Sequence, residues 1–161
     1  MTSNGYKLVE TLKDDDFVVT SDRCEVPIKV YSTVISNTNH KNAPYLIQAN
    51  SFSEHVPLKD IILSPLHAIQ VGEKLWQIQK KAAKNNKNIQ QIKLGKKVEY
   101  FHIETPDYLR DNIIVEGSIV ESYGINYINK HLNGTKVYNY DPNVKAYRRV
   151  SKKELELITY H

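Results

Sequence analysis

Few residues in this chain have the chemistry to act on a bond, and they are histidines, hydroxyls and one thiol. Ser64 and His67 stand three positions apart in the run Ser64-Pro65-Leu66-His67. An imidazole with a pKa near neutrality can give or take a proton at physiological pH, which makes it the commonest general acid or base. Alone, His67 would read as a core histidine bonded to a carbonyl, and Ser64 as a turn former ahead of Pro65. Their pairing makes the segment a candidate site. His102 lies between Phe101 and Ile103 in an apolar run, where strand alternation can turn it inward or outward. Cys24 is the only cysteine and reads as a small hydrophobe. A single cysteine excludes an internal disulfide and a Cys-based zinc site. The histidines (His40, His55, His67, His102, His131, His161) show no close metal-ligand spacing. No metal and no cofactor is expected.

The elements that must position these groups read mostly as short strands. Phe17 to Thr20 is apolar and β-branched, and Ser21-Asp22-Arg23 follows as a turn. From Cys24, alternate positions run Cys24, Val26, Ile28, Val30, Ser32 and Val34, the period of one half-buried strand. Ser36 to Pro44 is a polar loop. Further strands are predicted at Tyr45–Ala49, Asp60–Leu63, His67–Val71, Ile89–Leu94, Val98–Thr105 and Asn112–Ser122, the last punctuated by Glu116-Gly117. Between Gln79 and Lys87 the composition favours a short helix, ended by Asn85-Asn86, with Lys80, Lys81, Lys84 and Lys87 on a solvated face. Trp76 reads as packing. After Gly124 the composition shifts to a tyrosine-rich tail, and Ser151-Lys152-Lys153-Glu154 has the form of a capping box opening a C-terminal helix. The expected organisation is an all-β domain over residues 1–124 and a C-terminal extension over 125–161.

Composition sets bounds on partners. The 161 residues hold 40% hydrophobic and 25% charged residues, ordinary for one globular domain. A net charge of +4 permits acidic partners without demanding them. No signal peptide and no membrane-length apolar run is visible, so a soluble, cytoplasmic or intracellular chain is expected.

Taken in order, several blocks resemble those of a bacterial- or viral-type Hint (Hedgehog/intein) domain. They are Gly5-Tyr6-Lys7-Leu8-Val9-Glu10-Thr11-Leu12, Asp16 to Asp22, Asp60 to Ile69, Val98 to Thr105 and Asn112 to Tyr123. The resemblance covers roughly residues 5 to 124. It implies a compact all-β Hint-type fold with a short helix inserted and a helical C-terminal tail. It also implies autoproteolysis. In the family a Cys, sometimes Ser, opens the domain and attacks the preceding carbonyl by an N-to-S or N-to-O acyl shift. Water, a thiol or another acceptor then releases the upstream segment of the precursor.

The family's Thr-x-x-His motif is matched by Ser64-x-x-His67, which gives His67 the role of proton donor to the leaving nitrogen and Ser64 that of orienting the amide. His102 falls near a further proton-transfer position, and Tyr108 stands where many relatives have a second histidine. Inteins end in His-Asn, but the aligned position here is Val120-Glu121-Ser122, so splicing is not expected. No Cys or Ser occupies the opening position, because Thr2 and Ser3 lie too close to the Gly5 block. Cys24 lies too far inside to sit at the scissile bond. The expectation is therefore a module active in a longer precursor and inert as this chain alone.

Two rival readings remain. One is a degenerate Hint-like module that serves as a structural or protein-interaction unit. The other is a basic nucleic-acid-binding β domain using Lys80 to Lys97 and the aromatic tail with Arg148 and Arg149. No nucleic-acid motif supports the latter, and neither a nucleic acid nor a membrane is an expected partner.

Overall fold

The computed structural model describes residues 1–107, 110–123 and 148–149. Strands dominate, as an all-β reading requires. They are β1 (Phe17–Val19), β2 (Cys24–Pro27), β3 (Lys29–Ile35), β4 (Tyr45–Ile47), β5 (Ile61–Leu63), β6 (Ala68–Val71), β7 (Lys74–Gln77), β8 (Ile89–Gln91), β9 (Val98–Glu104), β10 (Ile113–Val115), β11 (Ser118–Val120) and β12 (Arg148–Arg149). They assemble in the orders β1-β2-β12, β10-β11-β6-β7, β3-β9 and β5-β4-β8. Contacts divide the chain into two compact units. The first comprises Met1–Tyr31, His102–Ile113 and Ser122–His161, and the second Ser32–Phe101 and Ile114–Glu121.

In the first unit β1 and β2 form an antiparallel hairpin with Val18 opposite Val26. Its turn closes through Arg23, at φ +61, whose N–H donates to the Thr20 carbonyl at 2.9 Å. Alternation then does its work. Val18, Val26, Ile28 and Ile103 form a buried cluster, with Leu12, Cys24, Val30 and Ile113 packed against it. Cys24 thus packs as the small hydrophobe expected from the sequence.

The single strand expected over Cys24–Val34 is in fact two, β2 and β3. Ile28, in register with Asp16, closes the β1–β2 hairpin over the turn ahead of β1, donating to Asp16 O and accepting from Asp15 N–H, both at 2.9 Å. The buried face also stops short, because Val34 is 49% exposed.

In the second unit β4 pairs antiparallel with both β5 and β8. β6 and β7 form a hairpin with Ile69 opposite Trp76. Ile47, Ile61, Ile69, Ile78, Ile89, Ile114 and Val120 are buried here. Two sequence expectations change. The helix expected over Gln79–Lys87 is a single π-turn, Ile78–Ala82, closed by a bond from Ala83 N–H to Ile78 O at 3.0 Å. Its buried residues Ile78 and Ala82 hold one turn against the sheet, and tertiary packing overrides the propensity of the lysine run. β8 ends at Gln91 rather than Leu94, because Lys93 turns into the left-handed region at φ +58. The expected C-terminal helix lies outside the described residues.

The β10–β11 turn is strained at one position. Glu116 has φ +45 and Gly117 φ +76, a pairing that two-residue hairpin turns meet best with Asn-Gly. A Cβ at Gly117 would meet the His55 carbonyl at 3.2 Å. In urea melts Glu116→Asn is expected to stabilise the protein by about 0.5–1 kcal/mol. Gly117→Ala should destabilise it by about 1–3 kcal/mol.

Candidate active site

Ser64, Pro65, Leu66 and His67 form a tight turn between β5 and β6. The His67 N–H donates to the Ser64 carbonyl at 3.3 Å. Proline at the second position pre-sets the backbone angle such a turn needs. The turn folds Ser64 back over His67, and Ser64 Oγ lies 2.7 Å from His67 Nδ1. Both side chains are half-buried, whereas Pro65 is buried and Leu66 is 58% exposed. The hydroxyl and the imidazole picked out from spacing are therefore bonded to each other.

Three neighbours hold this pair in place. The π-turn donates from Ile78 N–H to His67 O at 3.1 Å and from Gln79 N–H to Pro65 O at 3.2 Å. Glu121, just after β11, accepts from Ala68 N–H through Oε2 at 3.2 Å and donates its own N–H to Ala68 O at 3.0 Å. It thus clamps the residue that follows His67. Sequence reasoning missed Glu121 as a positioning residue. The signal was its place in Val120-Glu121-Ser122, the run that stands where inteins end in His-Asn. Ser122, beside it, is buried and accepts a hydrogen bond from the Thr105 hydroxyl at 2.9 Å.

His102 belongs to the first unit, on β9. Its ring stacks on Tyr123, with centroids 4.5 Å apart and planes at 33°. Tyr123 is fixed through its N–H to Ile103 O at 2.7 Å. Next along β9, Glu104 accepts a hydrogen bond from the Tyr31 hydroxyl at 2.8 Å, which pushes the Tyr31 pKa up to about 12. Burial lowers the His102 pKa below its ordinary 6.5, so the ring stays neutral at physiological pH. Tyr108 lies outside the described residues.

The depressed His102 pKa has a consequence for stability. Above pH 6.5 the ring is neutral both folded and unfolded. As pH falls below 6.5 the unfolded chain binds the proton first, so stability is lost until the pH has passed His102's lower folded value. His102→Gln is expected to flatten that slope in melts run across the window. Asp111 acts with the opposite sign. Burial raises its pKa above 3.8, with Asp107 and Asp22 adding repulsion, so protonation there adds stability as pH falls toward 3.8.

Among the described residues no group of three or more His, Cys, Asp or Glu is arranged to hold a metal ion. No described helix is long and apolar enough to cross a membrane. What the pair at Ser64 and His67 can do is move a proton between a hydroxyl, an imidazole and a third group brought against them.

No curated protein and no solved structure matches the chain. Residues 1–126, more than three quarters of the sequence, match the Hint domain, and the antiparallel all-β architecture is the one that family requires. The chain therefore belongs to the Hint (Hedgehog/intein) family of autoprocessing domains.

Proposed function

We propose that this Hint domain releases an upstream segment of its own precursor by cleaving one peptide bond, with Ser64 and His67 managing the proton. The nucleophile is a thiol or hydroxyl at the opening position of the domain in the precursor. It gives its proton to the His67 imidazole as it attacks the preceding carbonyl carbon, and the C–N bond then breaks. The departing nitrogen takes a proton from His67, leaving a thioester or ester. Water or an external thiol then attacks that ester and frees the upstream segment. An amide nitrogen is a poor leaving group until it is protonated, and a positioned acid contributes about 100- to 10,000-fold to such a step. Covalent attack divides the hard step into two easier ones.

The observation that carries this reading is the 2.7 Å contact between Ser64 Oγ and His67 Nδ1 on a proline-set turn inside a Hint domain. Cys24 has no part in it, because it packs against the core of the first unit. Splicing has no support either. Glu121 is bonded to Ala68 and Ser122 to Thr105, and neither side chain can cyclise as a terminal Asn does. Residues 1–161 alone are expected to be inert.

The test is to fuse a reporter and a cysteine-bearing opening segment ahead of residue 1. Dithiothreitol or hydroxylamine should accelerate release of the reporter, and mass spectrometry should find the thiol or hydroxamate adduct at its new C-terminus. A fusion that stays intact under both reagents, with the same behaviour in the His67→Ala variant, would defeat the reading. Binding of the intact, uncleaved domain to a partner protein would then favour the structural alternative.

A further inference from the structure

The strand that leads into Ser64 stands at the margin of its sheet. We infer that the open edge of β5 receives the upstream segment of the precursor as an added, parallel strand, which lays the scissile bond beside Ser64 and His67. This deepens the cleavage reading above and rests on it. In the sheet β5-β4-β8 the central strand is β4, and among the described residues β5 pairs with β4 alone.

Hydrogen bonding shows which groups of β5 face outward. Gln48 donates its N–H to Asn88 O at 3.0 Å, and Ile92 donates to Pro44 O at 2.8 Å. These bonds extend the β4–β8 register, in which Leu46 lies opposite Gln90. Backbone groups alternate sides along an antiparallel strand. Pro44, Leu46 and Gln48 therefore turn theirs toward β8, and Tyr45 and Ile47 turn theirs toward β5. Tyr45–Leu63 and Ile47–Ile61 are then the bonded pairs of the β4–β5 ladder. Ile62, between them, directs its N–H and C=O to the open edge. Such an edge is a template for a further strand, and strand addition is a recurring mode of peptide recognition. Lys and Pro, which commonly block edges, are absent from Ile61-Ile62-Leu63.

The occupant follows from where the edge leads. Ser64 comes two residues after Ile62, about 7 Å along a strand, and its hydroxyl is bonded to His67. A proton donor works only within hydrogen-bond reach of the departing nitrogen. The upstream segment ends at that bond, so it runs toward Ser64 in the direction of β5. The residue beside Ile62 is then about the third before the bond. Its side chain is specified as well. Ile61 is 5% exposed, whereas Ile62 is 48% exposed and lies opposite half-buried Leu46 on the outward face. A β-branched or aliphatic residue in the segment covers this pair.

Two readouts test this and separate docking from cleavage. The probe is the reporter fusion described above, with Val-Thr-Val-Thr-Gly directly ahead of the cysteine. With alanine in place of the cysteine the fusion stays whole. Exchange of the Ile62 amide is then expected to be about 10-fold slower or more than in residues 1–161 alone, while the Ile69 and Ile89 amides keep their rates. With the cysteine restored, a proline is walked through the Val and Thr residues. It should slow dithiothreitol-dependent release about 5- to 10-fold where it removes the N–H bonded to Ile62 O. Positions on either side should respond much less, because their N–H groups face away. Equal Ile62 rates with and without the segment would overturn the proposal, even in a fusion that cleaves. So would an equal loss of release at every proline position. Ile62 protection in residues 1–161 alone that rises with protein concentration would also overturn it, since a second copy would then fill the edge. A protected Ile62 in a fusion that never cleaves would uphold the docking and defeat the proposed chemistry.

Discussion

Replacing His67 with alanine, in a fusion that carries a cysteine at the opening position, is expected to slow thiol-dependent release about 100- to 10,000-fold. The loss should fall on formation of the thioester. The cysteine can still reach the carbonyl, but the nitrogen leaves unprotonated. Rates measured against dithiothreitol concentration separate the two steps, since a defect in the first persists at saturating thiol. Ser64→Ala should cost less, about 10-fold, because the hydroxyl orients and does not itself transfer the proton to the leaving nitrogen. Ser64→Thr should preserve most activity, as it keeps the hydroxyl that bonds Nδ1 at 2.7 Å. If instead Ser64→Ala abolished release and an acyl adduct were trapped on Ser64, the roles would be reversed, with Ser64 as nucleophile and His67 as its base. Glu121→Ala tests the scaffold. It leaves the Ala68 N–H without its carboxylate acceptor, and its effect on release should exceed its effect on stability.

Ile28→Ala is expected to destabilise the first unit by about 2–5 kcal/mol. Ile28 is 2% exposed and belongs to the cluster of Val18, Val26 and Ile103. Truncation removes buried apolar surface and leaves a cavity, because Ile28's backbone is tied on both sides to Asp15 and Asp16 and cannot collapse far. Urea melts read this directly, with the midpoint falling and the slope unchanged. Ile28→Val should cost only about 0.5–1.5 kcal/mol. The contrast with Val34→Ala is informative. Val34 shares the sequence alternation with Ile28 but is 49% exposed, and its truncation should lie within about 0.5 kcal/mol of neutral.

Several features were legible from residue order because they depend on neighbours close in sequence. Phe17 to Val19 is β-branched and apolar and forms β1. Proline after Ser64 makes a turn, and a turn of four residues brings Ser64 to His67. Glu116-Gly117 ends β10 and begins β11. Other features depended on groups distant in sequence. The close of the β1–β2 hairpin rests on Ile28 bonding Asp15 and Asp16 a dozen residues earlier, which periodicity cannot register. The lysine run after Gln79 favours an α-helix locally, yet burial of Ile78 and Ala82 settles it as one π-turn.

The amino-acid sequence by itself determined the all-β class, the family and the pairing of Ser64 with His67, because each rests on local alternation, motif order or a single turn. Only the tertiary structure decided that Glu121 clamps the residue after His67, that His102 stacks on Tyr123, and that β12 pairs with β2. The physical reason is common to all three. Hydrogen-bond partners, solvent exclusion and sheet edges are set by which distant segments come together, and no single stretch of chain contains both halves of the contact.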